Sequence, residues 1–508
     1  MNIAKEMEVL AATRGWANKV AFVTPEGVYS HRQIHQYARK LSTLLLSEGL
    51  KEGDRFVIAL EDSPLWIALF LAVIRLGATV LVVNPYLPRS DHQAIMEDLN
   101  PRFGALQADI QSHFFGLKIF TEDELERALQ QCQENHIYVE KPVNPAYVQF
   151  TSGTTGKQKA VPHTHQNFCH YAIAVGIGML DIKQKDVLFS VSKLFFAYGF
   201  GNSLVFPLMH GTSALLLRER PTPADIGRLI DQYQVSVFFW VPSGFGALLK
   251  TRLPANTVQL RLLVSAGEPL LPSLSEKIQQ AISVPLLNQL GSTEVGHAYC
   301  GTQIGDNPAE SIGRALPNYQ FEVRDEHGDI VTLGEKGELW VKGPTVPTCY
   351  LNSDESSARH FVDGWFKSGD CVQELPNQYF QHHGRIDDMQ MVGGIKVSSL
   401  HIENILNQFP QVIESAVISE FIDNKSQLIA FLRLAIPLSD IEDALKEHAR
   451  SFLAAYMVPK ILIEVDAFPR TINGKLQRYK LFSKTWLNKA AEDENLPRQQ
   501  HSMIRGQR

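Results

Sequence analysis

Cysteine is scarce in this chain and makes no pattern. Cys132, Cys169, Cys300, Cys349 and Cys371 form an odd set with no C-x-x-C pair and no histidine cluster at ligand spacing. That excludes a disulfide framework and a zinc site and fits a reducing compartment. Long apolar runs are missing too. The most apolar stretch, 65-LWIALFLAVI-74, ends at Arg75 and Gly77, well short of the roughly twenty residues that cross a bilayer; it reads as a buried helix. The N-terminal stretch MNIAKEMEVLAATRGW carries acids and no apolar core, unlike a signal or transit peptide. The expected location is the cytoplasm, with no membrane partner. A formal charge of −6, with lysines scattered among acids, offers no basic stripe, so nucleic acid is not an expected partner either.

What is present points to a multidomain enzyme-sized chain. At 508 residues it exceeds one ordinary core, and 44% hydrophobic residues suffice to give each domain an interior, which excludes disorder over most of the length. Ser30 followed by Gln33 is a capping box, and Ile34, Ala38, Leu41 and Leu45 then share a stripe, predicting a helix over 31–48. A strand over 55–60 follows. The alternation recurs as helix 64–76 with strand 78–83, helix 224–234 with strand 235–241, and helix 272–282 with strand 284–290. The expected fold is therefore α/β, with mostly parallel sheets flanked by helices and ligands beyond the carboxyl ends of the strands. Past about residue 320 short strands and turns predict a small antiparallel β subdomain within an N-terminal domain spanning 1–386. A smaller α+β domain is expected over 387–487: hairpin 389–397, helix 399–408, strands 413–419 and 427–434, helix 440–453 and strand 460–465. A polar tail occupies 488–508.

The stretch 150-FTSGTTGKQKAV-161 concentrates small, hydroxyl and cationic residues after the strand-like 146-AYVQF-150. It is not a Walker A motif: Gly153 and Gly156 enclose two residues instead of four, and Gln158 follows Lys157. Its backbone N–H groups and the hydroxyls of Thr151, Ser152, Thr154 and Thr155 can surround phosphate oxygens, with Lys159 adding charge. A surface linker has the same composition. Position favours the phosphate reading, because the following 162-PHTHQNFCHYAIAV-175 reads as helical.

Three further stretches supply context: 291-GSTE-294 after an apolar strand, 366-FKSGD-370 closing a turn, and 470-RTINGKLQR-478 near the end of the last compact pattern. With these in order, the chain from about residue 10 to 485 resembles the superfamily of adenylate-forming enzymes: acyl-CoA and aryl-CoA synthetases, adenylation domains of peptide synthetases, and luciferases. Through 193-KLFFAYGFGNSLVFPL-208, 264-VSAGEPL-270, 291-GSTEVGH-297 and 384-GRIDDMQMVGGIKVS-398 it is most similar to benzoate-CoA ligases.

The resemblance implies ATP, Mg2+ and coenzyme A as cofactors and a reaction in two halves. A carboxylate attacks the α-phosphate of ATP and pyrophosphate leaves; a thiol then takes the acyl group from the adenylate and AMP leaves. The first half needs no general base, because the nucleophile is already an anion. Its barrier is electrostatic, and preorganised cations lower it. By the same resemblance Thr151, Ser152, Gly153, Thr154, Thr155, Gly156 and Lys159 hold the β- and γ-phosphates. Thr293 and Glu294 lie at the α-phosphate, with Glu294 and Thr154 on the metal side. Ala266, Gly267, Glu268, Pro269 and Leu290 line the adenine pocket, Leu290 replacing the stacking aromatic of many relatives. Asp370 accepts from the ribose hydroxyls, with Arg385 nearby. Lys475 presents its ammonium to the α-phosphate and the attacking carboxylate. Asp387 is the implied hinge of a mobile C-terminal domain, and Gly394 lines the pantetheine passage, which a side chain would narrow. Ala197, Tyr198, Gly291 and His297 face the ring of a benzoate-like acid, with Phe195, Phe196 and Phe200 as further candidates for a flat apolar slot.

Each of these residues also has a plainer local reading. Asp370 is the acid of an S-G-D turn, Glu294 a first-turn helix acid, Lys475 an exposed lysine, His297 a satisfied core histidine, Gly394 half of a hairpin turn, and Phe195 and Phe200 core. The loop departs from the family's G-x-P-K-G at Gln158 and Ala160, which changes backbone freedom and removes no phosphate ligand. The leading expectation is a small aromatic carboxylic acid as substrate and CoA as acceptor. Its rivals are a freestanding adenylating enzyme loading a carrier-protein phosphopantetheine and a catalytically weakened acyl-adenylate binder. Monomer and homodimer are equally compatible with the sequence.

Overall fold

The computed structural model describes residues 1–152, 158–251, 253–254, 258–305, 308, 310–386, 389–392, 395–422, 425–470 and 476–481. The chain divides into two compact units, Met1–Ser368 with Glu374–Gln381, and Gly369–Gln373 with His382–Arg508.

The first unit is built on two mainly parallel sheets. One has six strands in the order Lys118–Phe120, Phe103–Leu106, Arg55–Ala59, Thr79–Val82, Tyr147–Ser152, Gln158–His163, all parallel except the last. The other has nine, and its parallel core runs Leu286–Gly291, Leu262–Ser265, Val237–Trp240, Val187–Ser190, Ser213–Leu215, Val20–Thr24. Strands such as VFFW and LLVS are buried at every position, as parallel strands covered on both faces must be. The capping box at Ser30 and Gln33 makes both of its hydrogen bonds and starts helix His31–Ser47. Helix Pro64–Arg75, capped by Ser63, is buried all round, as its unbroken apolar sequence predicts. The antiparallel texture past residue 320 is present: Gln320–Arg324 pairs with Lys336–Lys342, and Phe361–Val362 pairs with Trp365 and Phe366.

One local expectation fails. Residues 162–175 are not one helix. Pro162 and His163 end strand Gln158–His163, which pairs antiparallel with Tyr147–Ser152, and the helix begins only at Asn167 and continues as a π-helical turn, Ala172–Ile177. The glycine-rich loop therefore joins two strands of a hairpin. Pro162 is tolerated because this strand closes the edge of its sheet.

The second unit carries hairpin Met389–Val392 with Ile395–Ser398, helix Ser399–Asn407, and a sheet of Val412–Ile422, Lys425–Leu434 and Ile461–Glu464. Alternate residues of its strands feed two faces: Val417, Ala430 and Leu432 pack with Ile402, Leu406 and Leu445, while Ala416, Ile418 and Phe431 pack with Phe468 and Leu481. Among the described residues no helix is long and apolar enough to cross a membrane.

Candidate functional site

The hairpin that carries the glycine-rich loop is held from outside by residues 350–352. Leu351 N–H donates to Ala160 O at 2.9 Å, Asn352 Oδ1 accepts from Ala160 N–H at 2.9 Å, and Asn352 Nδ2 donates to Gln158 O at 2.8 Å. Both departures from the family pattern are thereby absorbed. Ala160 is fully buried beside Val148, and the Gln158 amide reaches Asp91 Oδ2 at 3.2 Å. Thr151 lies across the ladder from Lys159 and Ser152 across from Gln158. Gly153, Thr154, Thr155 and Gly156 lie outside the described residues.

His163, at the end of the same strand, fixes the turn after strand Leu286–Gly291. Its Nδ1 lies 3.2 Å from Asn167 Nδ2, which leaves Nε2–H to donate to Thr293 O at 2.9 Å. Burial pushes this imidazole down to about 4, so it stays neutral. Glu294 is buried and accepts from the Tyr350 hydroxyl at 2.9 Å. Gly291 is required by close approach: a Cβ there would sit 2.6 Å from His297 O and 2.8 Å from Ala298 Cα.

Aromatic rings gather around His297. Its ring lies 5.1 Å from Phe206, 5.8 Å from Tyr198 and 6.3 Å from Tyr171, and Nε2 is 3.2 Å from Asn202 Oδ1. Burial drives the imidazole down to about 3, so this wall is uncharged at any physiological pH. The Tyr198 hydroxyl donates to Val264 O at 3.0 Å, tying the segment to the end of strand Leu262–Ser265. Ala197 is half-buried at the start of the same short helix, Ala197–Phe200. Phe200 stands apart from this cluster: it is fully buried, stacked on Tyr147 and edge-on to Phe70 and Trp66, and belongs to the core. Phe195 is buried against Phe196, with Tyr86 edge-on.

Ala266, Gly267 (φ +88°), Glu268 and Pro269 follow strand Leu262–Ser265. Glu268 is already engaged, because its carboxylate accepts from Ser243 N–H and Ser243 Oγ, both at 3.0 Å, at the start of helix Pro242–Leu248. Leu290 is half-buried in strand Leu286–Gly291. In the second unit, buried Asp370 accepts from His382 Nε2 at 3.1 Å and Arg385 Nη1 at 3.2 Å. Burial alone would raise this carboxyl; the Arg385 guanidinium and the His382 hydrogen bond outweigh it and hold the group well below the usual carboxylate range. Asp370 is thus an ionised acceptor. Asp387, Gly394 and Lys475 lie outside the described residues.

Sequence patterning had not singled out Asn202, Phe206, His163, Tyr350 or His360. Asn202 carries a signal, as the one amide in the apolar run 193–208. The others reach the site only through tertiary pairing.

The first unit thus brings a buried carboxylate, Glu294, to a turn at a strand end, a lysine, Lys159, to a hairpin strand, and a cluster of aromatic rings around His297. The chain belongs to the AMP-binding enzyme family: residues 10–351 match that family and residues 401–475 match its C-terminal domain. It is 31% identical over 496 residues to a benzoate–CoA ligase of Thauera aromatica, covering 93% of this chain and 94% of that one. A p-hydroxybenzoic acid–AMP ligase of Mycobacterium tuberculosis is 30% identical over 482 residues, 94% of this chain and 68% of its own. The crystal structure of a benzoate CoA ligase from Burkholderia xenovorans superposes with a TM-score of 0.89 at 28% identity, covering 95% of this chain and all of that one. The protein is an AMP-forming acid ligase of the adenylate-forming class.

Proposed function

We propose that this chain is an ATP- and Mg2+-dependent aryl-CoA ligase that activates a small benzoate-like acid as its adenylate and passes the acyl group to the CoA thiol. The observation that carries the aryl reading is the neutral ring wall of Tyr198, Phe206 and His297 around Gly201, where a Cβ would overlap the His297 ring. A flat apolar acid suits such a wall; a flexible long chain gains little from it.

The residue roles follow the family pattern. Thr151 to Lys159 hold the β- and γ-phosphates, and Thr293 and Glu294 serve the α-phosphate. Mg2+ needs only one or two protein oxygen ligands, because it completes its shell with phosphates and water. Glu294 and Thr154 are the metal-side residues in this reading, and Mg2+ would supply charge compensation for the phosphates. Ionised Asp370 accepts from the ribose hydroxyls. Lys475 serves the adenylation half, and the domain beyond Asp387 turns so that Gly394 serves the thiol half.

The test is a panel of benzoates, hydroxybenzoates, cinnamates and C4 to C10 acids, scored by pyrophosphate release with and without CoA. Small aromatic acids should lead, separated from one another by only about 1–3 kcal/mol per missing contact. A clear preference for long fatty acids would overturn the slot. A second reading, an adenylating enzyme that loads carrier-protein phosphopantetheine, is favoured by the likeness to an acid–AMP ligase. Product analysis with CoA against a carrier protein separates the two: acyl-CoA at a rate matching adenylation supports the first, and acyl-carrier alone the second.

A further inference from the structure

One cluster of the first unit joins the phosphate-loop cation to the metal-side carboxylate through residues that have no assigned role. Tyr350 is buried between them. Its hydroxyl donates to Glu294 Oε1 at 2.9 Å, and Lys159 Nζ lies 5.1 Å from the centre of its ring. His360 completes the arrangement. Its Nδ1–H donates to Ser356 O at 2.8 Å, so Nε2 carries the lone pair and accepts from Lys159 Nζ at 3.4 Å. The His360 ring stands edge-on to Tyr350, centroids 5.8 Å apart.

The backbone fixes these side chains in turn. Tyr350 N–H donates to Ser357 Oγ at 2.9 Å, Ser357 Oγ donates to Ser353 O at 2.6 Å, and residues 351 and 352 are bonded along strand Gln158–His163. Helix Asp354–His360 thus places His360 and Tyr350 relative to the strand that carries Lys159.

We propose that Tyr350 and His360 are positioning residues for the nucleotide: Tyr350 aims the Glu294 carboxylate at the metal through its hydroxyl, while its ring and neutral His360 hold the Lys159 ammonium in place for the triphosphate. This rests on the reading of Glu294 as the metal-side carboxylate and Lys159 as a phosphate ligand. The two halves of Tyr350 do separable jobs. The hydroxyl bears on the metal-dependent part of ATP binding, because a hydrogen-bonded carboxylate is held in one rotamer. The ring bears on the metal-independent part, because a cation over an aromatic face is held at fixed height.

The experiment is calorimetric titration of the full chain with ATP in excess MgCl2 and again in EDTA, which reads binding and needs no turnover. The quantity compared is the gain in ATP affinity that Mg2+ confers. Tyr350→Phe should cut that gain about fivefold, a fraction of what a hydrogen bond to a charged group is worth, and leave the EDTA affinity unchanged. His360→Leu should weaken ATP binding in both buffers by the same factor, and His360→Gln, which keeps an acceptor near Nε2, should restore it. Glu294→Gln should abolish most of the gain, and Tyr350→Phe added to it should cost nothing more, since both act through one carboxylate. Phe361→Leu loosens the same packing, 4.9 Å from the Tyr350 centroid, without touching the hydroxyl; a purely structural role would make it lower the gain as Tyr350→Phe does, and that result overturns the proposal. So does a gain that falls with Glu294→Gln and stays at the parent value with Tyr350→Phe. A gain insensitive to Glu294→Gln is a different failure, that of the metal assignment itself.

Discussion

Lys475→Ala is expected to slow adenylation by about 10² to 10³, the loss that follows removal of one preorganised transition-state donor, while thioester formation from supplied acyl-adenylate survives. The asymmetry follows from the chemistry. The carboxylate and the α-phosphate repel each other, and negative charge builds on phosphorus as they approach, so a fixed ammonium stabilises the transition state more than the separated reactants. The thiol half has no such encounter between two anions. The described residues flanking this lysine are well tied down. Arg470 bridges Leu476, Gln477 N–H donates to Pro469 O at 2.8 Å, and Arg478 forks onto Glu403, with Nη2 to Oε2 at 2.8 Å. Glu403 also accepts from Val417 N–H at 2.6 Å. The check is paired rates, pyrophosphate exchange for the first half and CoA thioester formation for the second; equal losses in both would refute the role.

Much of the architecture was legible because the signals are local. The Ser30 capping box, the all-apolar 65–74 run and the alternation of helix with apolar strand each depend on residues within one element, and each recurs in the fold. The segment 162–175 misled because its residues suit a helix, whereas six ladder pairs with Tyr147–Ser152 outweigh propensity over Gln158–His163. Motifs pointed to Glu294 and Asp370 as candidates, and both are buried carboxylates in the fold, whereas side chains that meet from afar left no mark in the sequence. Tyr350 meets Glu294 across 56 residues and His360 meets Lys159 across 201. No spacing rule reaches that far. Phe200 shows the converse: four neighbouring aromatic residues in 195–200 look alike in sequence, and only packing sets one against Tyr147 in the core and another beside His297.

Gly201→Ala should lower kcat/KM for the aromatic acid by about 10- to 100-fold, the scale of the roughly 1–3 kcal/mol that overpacking costs, with KM for ATP unchanged. Gly201 opens the π-helical turn Gly201–Val205, and a Cβ there would overlap the His297 ring. The ring has little room to yield. Phe206 and Tyr198 pack on it, Asn202 is bonded to its Nε2, and Gly291 lies close against its backbone. The extra methyl must therefore displace the rings proposed to face the acyl group. Kinetics for acid and ATP, measured separately, read the split, and the double variant Gly201→Ala with His297→Ala supplies the decisive comparison. Removing the ring removes the overlap, so the double variant should be no worse than His297→Ala alone. Losses that simply add would mean the methyl acts elsewhere in the turn, and the ring wall would no longer explain why glycine stands at this position.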